Sequence, residues 1–212
     1  MGELAKKIAS GNVLGRDYHI HVRTGVVENS ETRSETEVTG NVSGGGGYSS
    51  GGSGYNNPVS GSIQSKTTRY QNIFLKDEEG DDHVIELVNF LIACKEGQKL
   101  TLFIVKSKDS LYGPYFQAYN HNTRQNYENS KAVSSEMFPF RKVLMATGGL
   151  AALFFLIGLT GGFGNAILAA IIGAVIGGIV FWIVGKIIGA LRASAVRKNP
   201  EFRQFLAGLA SG

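Results

Sequence analysis

Between Val143 and Gly185 the chain has no Asp, Glu, Lys or Arg. A run of 43 uncharged residues excludes an ordinary solvated surface over that stretch. Cysteine is nearly absent. Cys94 stands alone, which excludes an internal disulfide framework and suits a reducing compartment. Histidine is scarce as well, and no metal-site spacing joins His19, His21, His83 and His121 to Cys94. There is no Ser-His-Asp set, no phosphate loop and no dinucleotide fingerprint after a convincing strand. These absences point to a non-enzymatic protein without cofactor or metal. No signal peptide opens the chain. The myristoylation pattern fails at Lys6, where it wants Ser or Thr.

The acidic run Asp77–Asp82 also fails as a calcium loop. With Gly80 at position six, position one falls on Leu75, which offers no oxygen ligand. The run reads instead as a hairpin turn. Charge is uneven along the chain. From Arg141 onward seven Lys/Arg face one Glu, whereas the preceding part carries 14 basic and 16 acidic residues. That slightly acidic part argues against nucleic-acid binding. Tyr112, Tyr115, Phe116 and Tyr119 could form a base-stacking platform, but strand alternation puts Tyr115 and Tyr119 on one face and Phe116 on the other.

What is present is two membrane-length apolar helices. A bilayer core of about 30 Å takes about 20 helical residues. The uncharged run therefore holds two passes, Val143–Leu159 and Ala166–Gly185, the second extendable to Leu191. The turn between them is Thr160–Asn165, with Asn165 as the expected helix cap. Lipid-buried backbone must bond internally, so helices are the expected form. Basic residues flank both ends of the run and none lies in its loop. The positive-inside rule then places both termini in the cytoplasm of a bacterial-type inner membrane.

Ala166, Ala169, Ala170, Gly173, Ala174, Gly177 and Gly178 form two rows of small residues on the second helix. Such rows permit close backbone approach, either within the hairpin or in a homo-oligomer, and the second row favours the oligomer. Arg141, Lys142, Lys186, Arg192, Arg197 and Lys198 are expected at the membrane surface. After them Asn199-Pro200-Glu201 reads as a helix start, and Phe202, Phe205, Leu206 and Leu209 recur at helical spacing. The expected short amphipathic helix lies with Phe202 and Phe205 against the bilayer, or else on the soluble domain.

Before the hairpin the reading is β. An N-terminal segment, residues 1–17, has a short helical pattern over Met1–Ser10. Tyr18–Val27 and Thr36–Val42 alternate as strands of a hairpin within residues 18–42, with polar Glu28–Glu35 as its turn. Residues 43–62 are Gly/Ser-rich and read as a flexible loop. Residues 63–129 carry five short strands whose spacing resembles a small antiparallel barrel or sandwich, SH3-like or OB-like. Lys99–Val105 is apolar on both faces and should be central. Residues 130–142 link to the hairpin (143–191) and the basic tail (192–212).

The whole is an α+β membrane protein whose partners are the bilayer, itself and another protein. The expected function is an interaction or assembly module. An oligomeric channel is the alternative, disfavoured because conducting pathways carry polar or ionisable groups and Thr147, Thr160 and Asn165 are the main polar residues of the run. A membrane-tethered nucleic-acid-binding domain is the weaker alternative.

Overall fold

The computed structural model describes residues 6–43, 47–50, 53–56, 60–107 and 112–211. It contains an antiparallel sheet of seven strands followed by helices, two of them long and apolar enough to cross a membrane.

The sheet begins with β1 (Lys6–Val13) and β2 (Arg16–Ser43). Residues 6–10, expected in a helix, are therefore strand, and residues 1–5 lie outside the described set. Ile8, the apolar residue that supported the helix, packs instead against the core beside buried Ala9. The β1–β2 turn has two central residues, Leu14 and Gly15, both at positive φ (50° and 70°). That is the mirror-image turn whose twist suits a hairpin. Glycine adopts it freely, but for Leu14 the left-handed region costs about 1–2 kcal/mol.

β2 is a single strand of 28 residues, not the expected hairpin of two. Its first half pairs with β1 on one side and with β7 (Lys99–Ser107) on the other. Its second half pairs with β5 (Ser60–Lys76), with a bulge between Val27 and Asn29 at the changeover. There the backbones come very close. A Cβ on Gly25 would stand 2.6 Å from the Lys76 carbonyl oxygen, so only glycine fits. The polar stretch 28–35 resembled a turn because its residues are exposed or half-buried, although it is strand throughout. Beyond Arg33–Tyr70, the last pair beside β6 (Asp82–Val88), β2 and β5 continue as a two-stranded ribbon to Ser43–Ser60. Ten residues at about 3.3 Å each carry it about 33 Å from the sheet.

At its far end β3 (Gly47–Ser50) pairs with β4 (Ser53–Asn56), Tyr48 standing opposite Tyr55. Much of the expected flexible loop is thus paired β-structure, while residues 44–46, 51–52 and 57–59 lie outside the described set.

The remaining strands are β8 (Tyr115–Asn120) and β9 (Gln125–Glu128). The order β6-β5-β2-β7-β8-β9 leaves β6 and β9 as edges, so the sheet is open and the expected barrel does not close. β7 is central and Leu100–Val105 are all buried, as its two apolar faces require. A bulge in β8 sets Gln117 opposite Phe103 and Tyr115 opposite Ile104, leaving Phe116 as the extra residue. One inserted residue reverses the faces beyond it. Tyr115 therefore packs on one core, while Phe116 and Tyr119 share the other, contrary to simple alternation.

The two faces have separate cores. Val27, Ile73, Leu75, Ile85, Leu87, Leu100 and Leu102 fill one, together with Phe90 and Ile92 from the loop after β6. Tyr18, Ile20, Phe103, Val105 and Phe116 fill the other, and helices cover it. α1 (Ser130–Glu136), where the sequence suggested only a linker, contributes Val133 and is capped by the Asn129 side chain.

α2 (Phe140–Gly158) and α3 (Phe163–Arg197) form the apolar hairpin. A 3₁₀ turn, Leu159–Gly161, and Gly162 at φ 101° join them. Gly162 holds the cap position expected of Asn165, whose side chain instead donates to the Gly161 carbonyl. At 35 residues α3 outruns any bilayer, and its last turns enter the sheet's helix-covered core through Ala193 and Val196. α4 (Pro200–Ser211) then folds back over that core, its start capped by Asn199 Oδ1 accepting from the Phe202 amide at 3.1 Å.

Candidate functional site

Where the sheet meets the helical hairpin, four stretches distant in sequence converge: the β1–β2 turn, the α1–α2 junction, the end of β7 and α3 at Arg192. They line a cavity of about 530 Å³. Among the described residues its lining includes the cations Arg16, Arg141, Lys142 and Arg192 and the carboxylate of Asp17. Glu136 stands nearby, 3.8 Å from the Arg16 guanidinium.

Arg192 is only 3% exposed. It donates to the Met137 carbonyl at 3.1 Å and to the Leu14 carbonyl at 2.7 Å. Arg16 donates to the Phe138 carbonyl at 3.2 Å. Two guanidinium groups thus rest on adjacent carbonyls. The Nε of each is buried without a hydrogen-bond partner. Burying charge is costly unless it is paired. The first turn of α2 also lines this cavity, and no side chain caps it, so its positive end faces the same space. The arrangement can hold an anion.

Beside it lies a second cavity of about 370 Å³ between α2 and α3. Val143, Ala146, Phe181, Val184 and Ile188 make it apolar, and Leu14, Pro139, Lys142 and Arg192 form its mouth. Pro139, Lys142 and Arg192 belong to both cavities.

The residues expected at the membrane surface separate into groups. Arg141 and Lys142 flank the basic cavity, and the Lys186 ammonium sits 5.3 Å from the Trp182 ring centre and 5.8 Å from that of Phe138. Lys198 is exposed. Arg192 is buried, and Arg197 donates to Glu128 at 2.6 Å. Phe202 is 1% exposed, packed on Phe103 and Phe116 with ring centres 5.2 and 5.5 Å away. Phe205 is half-buried at 6.0 Å from Phe103. Phe202 and Phe205 therefore lie on the sheet rather than on a bilayer, because α3 continues past the hairpin and delivers α4 to an open apolar face.

The small-residue rows are also resolved. Gly173 faces Phe154 and Leu150, Gly177 faces Leu150 and Thr147, and Ala166 and Ala169 approach Gly158. The chain's own α2 fills this row. Ala170, Ala174 and Gly178 are half-buried at its rim.

Among the described residues no three His, Cys, Asp or Glu side chains gather as metal ligands. His19 and His21 meet only edge to face, with ring centres 6.5 Å apart. Burial, followed by the nearby Lys99 charge, lowers the His121 pKa, and its Nε2 lies 2.8 Å from the Thr101 hydroxyl. Burial raises the Cys94 thiol pKa, which leaves it a poor nucleophile. Sequence reasoning found Arg141, Lys142 and Arg192 but missed Leu14 and Arg16. The one local signal was a bulky residue before Gly15 in a two-residue turn. No known protein family, curated protein or solved structure matches the chain.

Proposed function

We propose that this protein is a non-enzymatic assembly module of a bacterial-type cytoplasmic membrane. The helical hairpin spans the bilayer, both termini lie in the cytoplasm, and the ribbon of β2 and β5 reaches out to a protein partner. The ribbon is the observation that carries this reading. A two-stranded hairpin is at best marginally stable alone. Here it extends well beyond the flanking strands, and residues 34–41 and 60–67 are all exposed, including the apolar Val38 and Ile63 on one face. Beyond the sheet one face presents Glu35, Glu37 and Lys66, and the other presents Val38, Ile63 and Ser and Thr, including Thr36 and Thr67 with hydroxyls 3.0 Å apart. Unpaired ribbon edges can add a further strand from a partner.

The wall of exposed Ile, Leu and Val on α2 and α3 supports the membrane anchor, since it exceeds the apolar patch a water-facing protein tolerates. Basic Arg141, Lys142 and Lys186 at one end support the orientation. Self-association through the Gly173 row is not favoured, because that row is already filled.

A photo-reactive crosslinking residue at Val38 in living cells tests the arm. A discrete adduct is expected there and none from the same residue at Glu79, on the β5–β6 turn. Equal or absent adducts at the two positions would refute an interaction arm.

A further inference from the structure

The basic cavity and the apolar slot share a wall, and each lacks what the other has. The slot alone would accept any hydrocarbon, and the basic cavity alone any small anion. Joined at Pro139, Lys142 and Arg192, they have the polarity of one amphiphile, an anionic head continuous with an apolar chain. We infer that the junction is a binding site for a single glycerophospholipid with an anionic headgroup. The phosphate sits between Arg16 and Arg192, and an acyl chain enters the slot between α2 and α3. This rests on the membrane-anchored reading above.

The geometry along α3 supports it. Phe181 and Arg192, at the two ends of the slot, are 11 residues apart, about 16 Å of helix. The slot thus crosses the level of Lys186, with five residues of α3, about 7 Å, on its apolar side, enough for the first part of an acyl chain. Lys186, with its aromatic neighbours Trp182 and Phe138, marks the level of the interface between those ends. Arg192 lies six residues further, about 9 Å below, in the headgroup region.

Charge points the same way. The cations exceed the carboxylates even when Glu136 is counted with Asp17. A bound phosphate diester would counter two like charges that otherwise act on each other, Arg16 and Arg192. The uncapped start of α2 adds backbone donors and a favourable dipole. Leu14 completes the site. Its strained turn places the carbonyl on Arg192 and its 56%-exposed side chain at the mouth of the slot, where an acyl chain would cover it.

The test uses the full chain, purified in detergent and reconstituted with an equimolar mixture of phosphatidylglycerol and phosphatidylcholine. Vesicle flotation first asks whether the protein is in the bilayer, so failure of the anchor is read apart from failure of the site. Native mass spectrometry then counts retained lipid. One phosphatidylglycerol is expected to be retained in preference to phosphatidylcholine. That preference should fall about fivefold in Arg16→Gln and similarly in Arg192→Gln. Arg203→Gln, on the exposed side of α4, should leave it unchanged. Ala146→Leu fills the slot but keeps every charge and should also displace the lipid. Arg16 is partly exposed, so its variant stays informative if Arg192→Gln misfolds. Glycerol phosphate and inorganic phosphate should not displace the lipid. Equal retention of the two lipids by floating protein overturns the proposal. So does complete displacement by inorganic phosphate, or indifference to Ala146→Leu, each of which would leave a free-anion site.

Discussion

Asp77 and His83 show how much one residue pair on an exposed turn can carry. His83 Nε2 lies 2.6 Å from Asp77 Oδ2, and this hydrogen bond is the largest cause holding the Asp77 carboxyl below its usual 3.8. A carboxyl lowered in the folded state stabilises the fold fully above its unfolded value, and that contribution disappears as pH falls through the folded value. His83→Ala should therefore lower the thermal midpoint at pH about 5, and lower it less in acid well below 3.8, where Asp77 takes up its proton and the pairing is lost. An equal loss at both pH values would show that the pairing does not stabilise the turn. The turn itself was legible in the sequence, with Gly80 at φ 90° as the acidic run suggested. The contact of Arg192 with Leu14 was not. The two are 178 residues apart, and nothing local to either encodes the meeting.

At the scale of elements, periodicity was readable where burial is one-sided or complete. β6, β7 and α4 stand close to where alternation or helical spacing placed them. The arm misled because neither of its faces is buried, so polar residues on both sides carry no period to separate strand from turn. α4 presents the opposite limit. The Phe202, Phe205, Leu206 and Leu209 stripe is plain, but the same stripe suits a bilayer or a core. The structure places it on Phe103 and Phe116. A fragment limited to residues 12–135 would not carry that core whole. Ala193, Val196 and Phe202 supply part of it from outside the range. Phe202→Ala should destabilise the protein by about 3–5 kcal/mol, measured by unfolding of the intact chain. Phe202 would belong to the bilayer surface instead if the change cost under about 0.5 kcal/mol.

At the scale of the whole molecule, α3 ties the two halves together, running from the apolar hairpin into the sheet without a break. Ala193 and Val196 of α3 lie in the sheet's core, so the sheet is packed directly on the end of the long apolar helix. The two long apolar helices were legible because the absence of charge over 43 residues is a strong signal. The run of α3 into the sheet's core was not, because nothing local to Ala193 or Val196 marks where the helix passes from the apolar hairpin to the core. The central claim is that the hairpin crosses the bilayer with sheet and arm on the cytoplasmic side. Cysteine reactivity in intact cells tests this most directly, in a Cys94→Ser background with a membrane-impermeant thiol reagent. Phe163→Cys, at the start of α3 beside the hairpin turn, should label in intact cells, and Val38→Cys, on the arm, only after lysis. Labelling of Phe163→Cys only after lysis, or of Val38→Cys in intact cells, would contradict it.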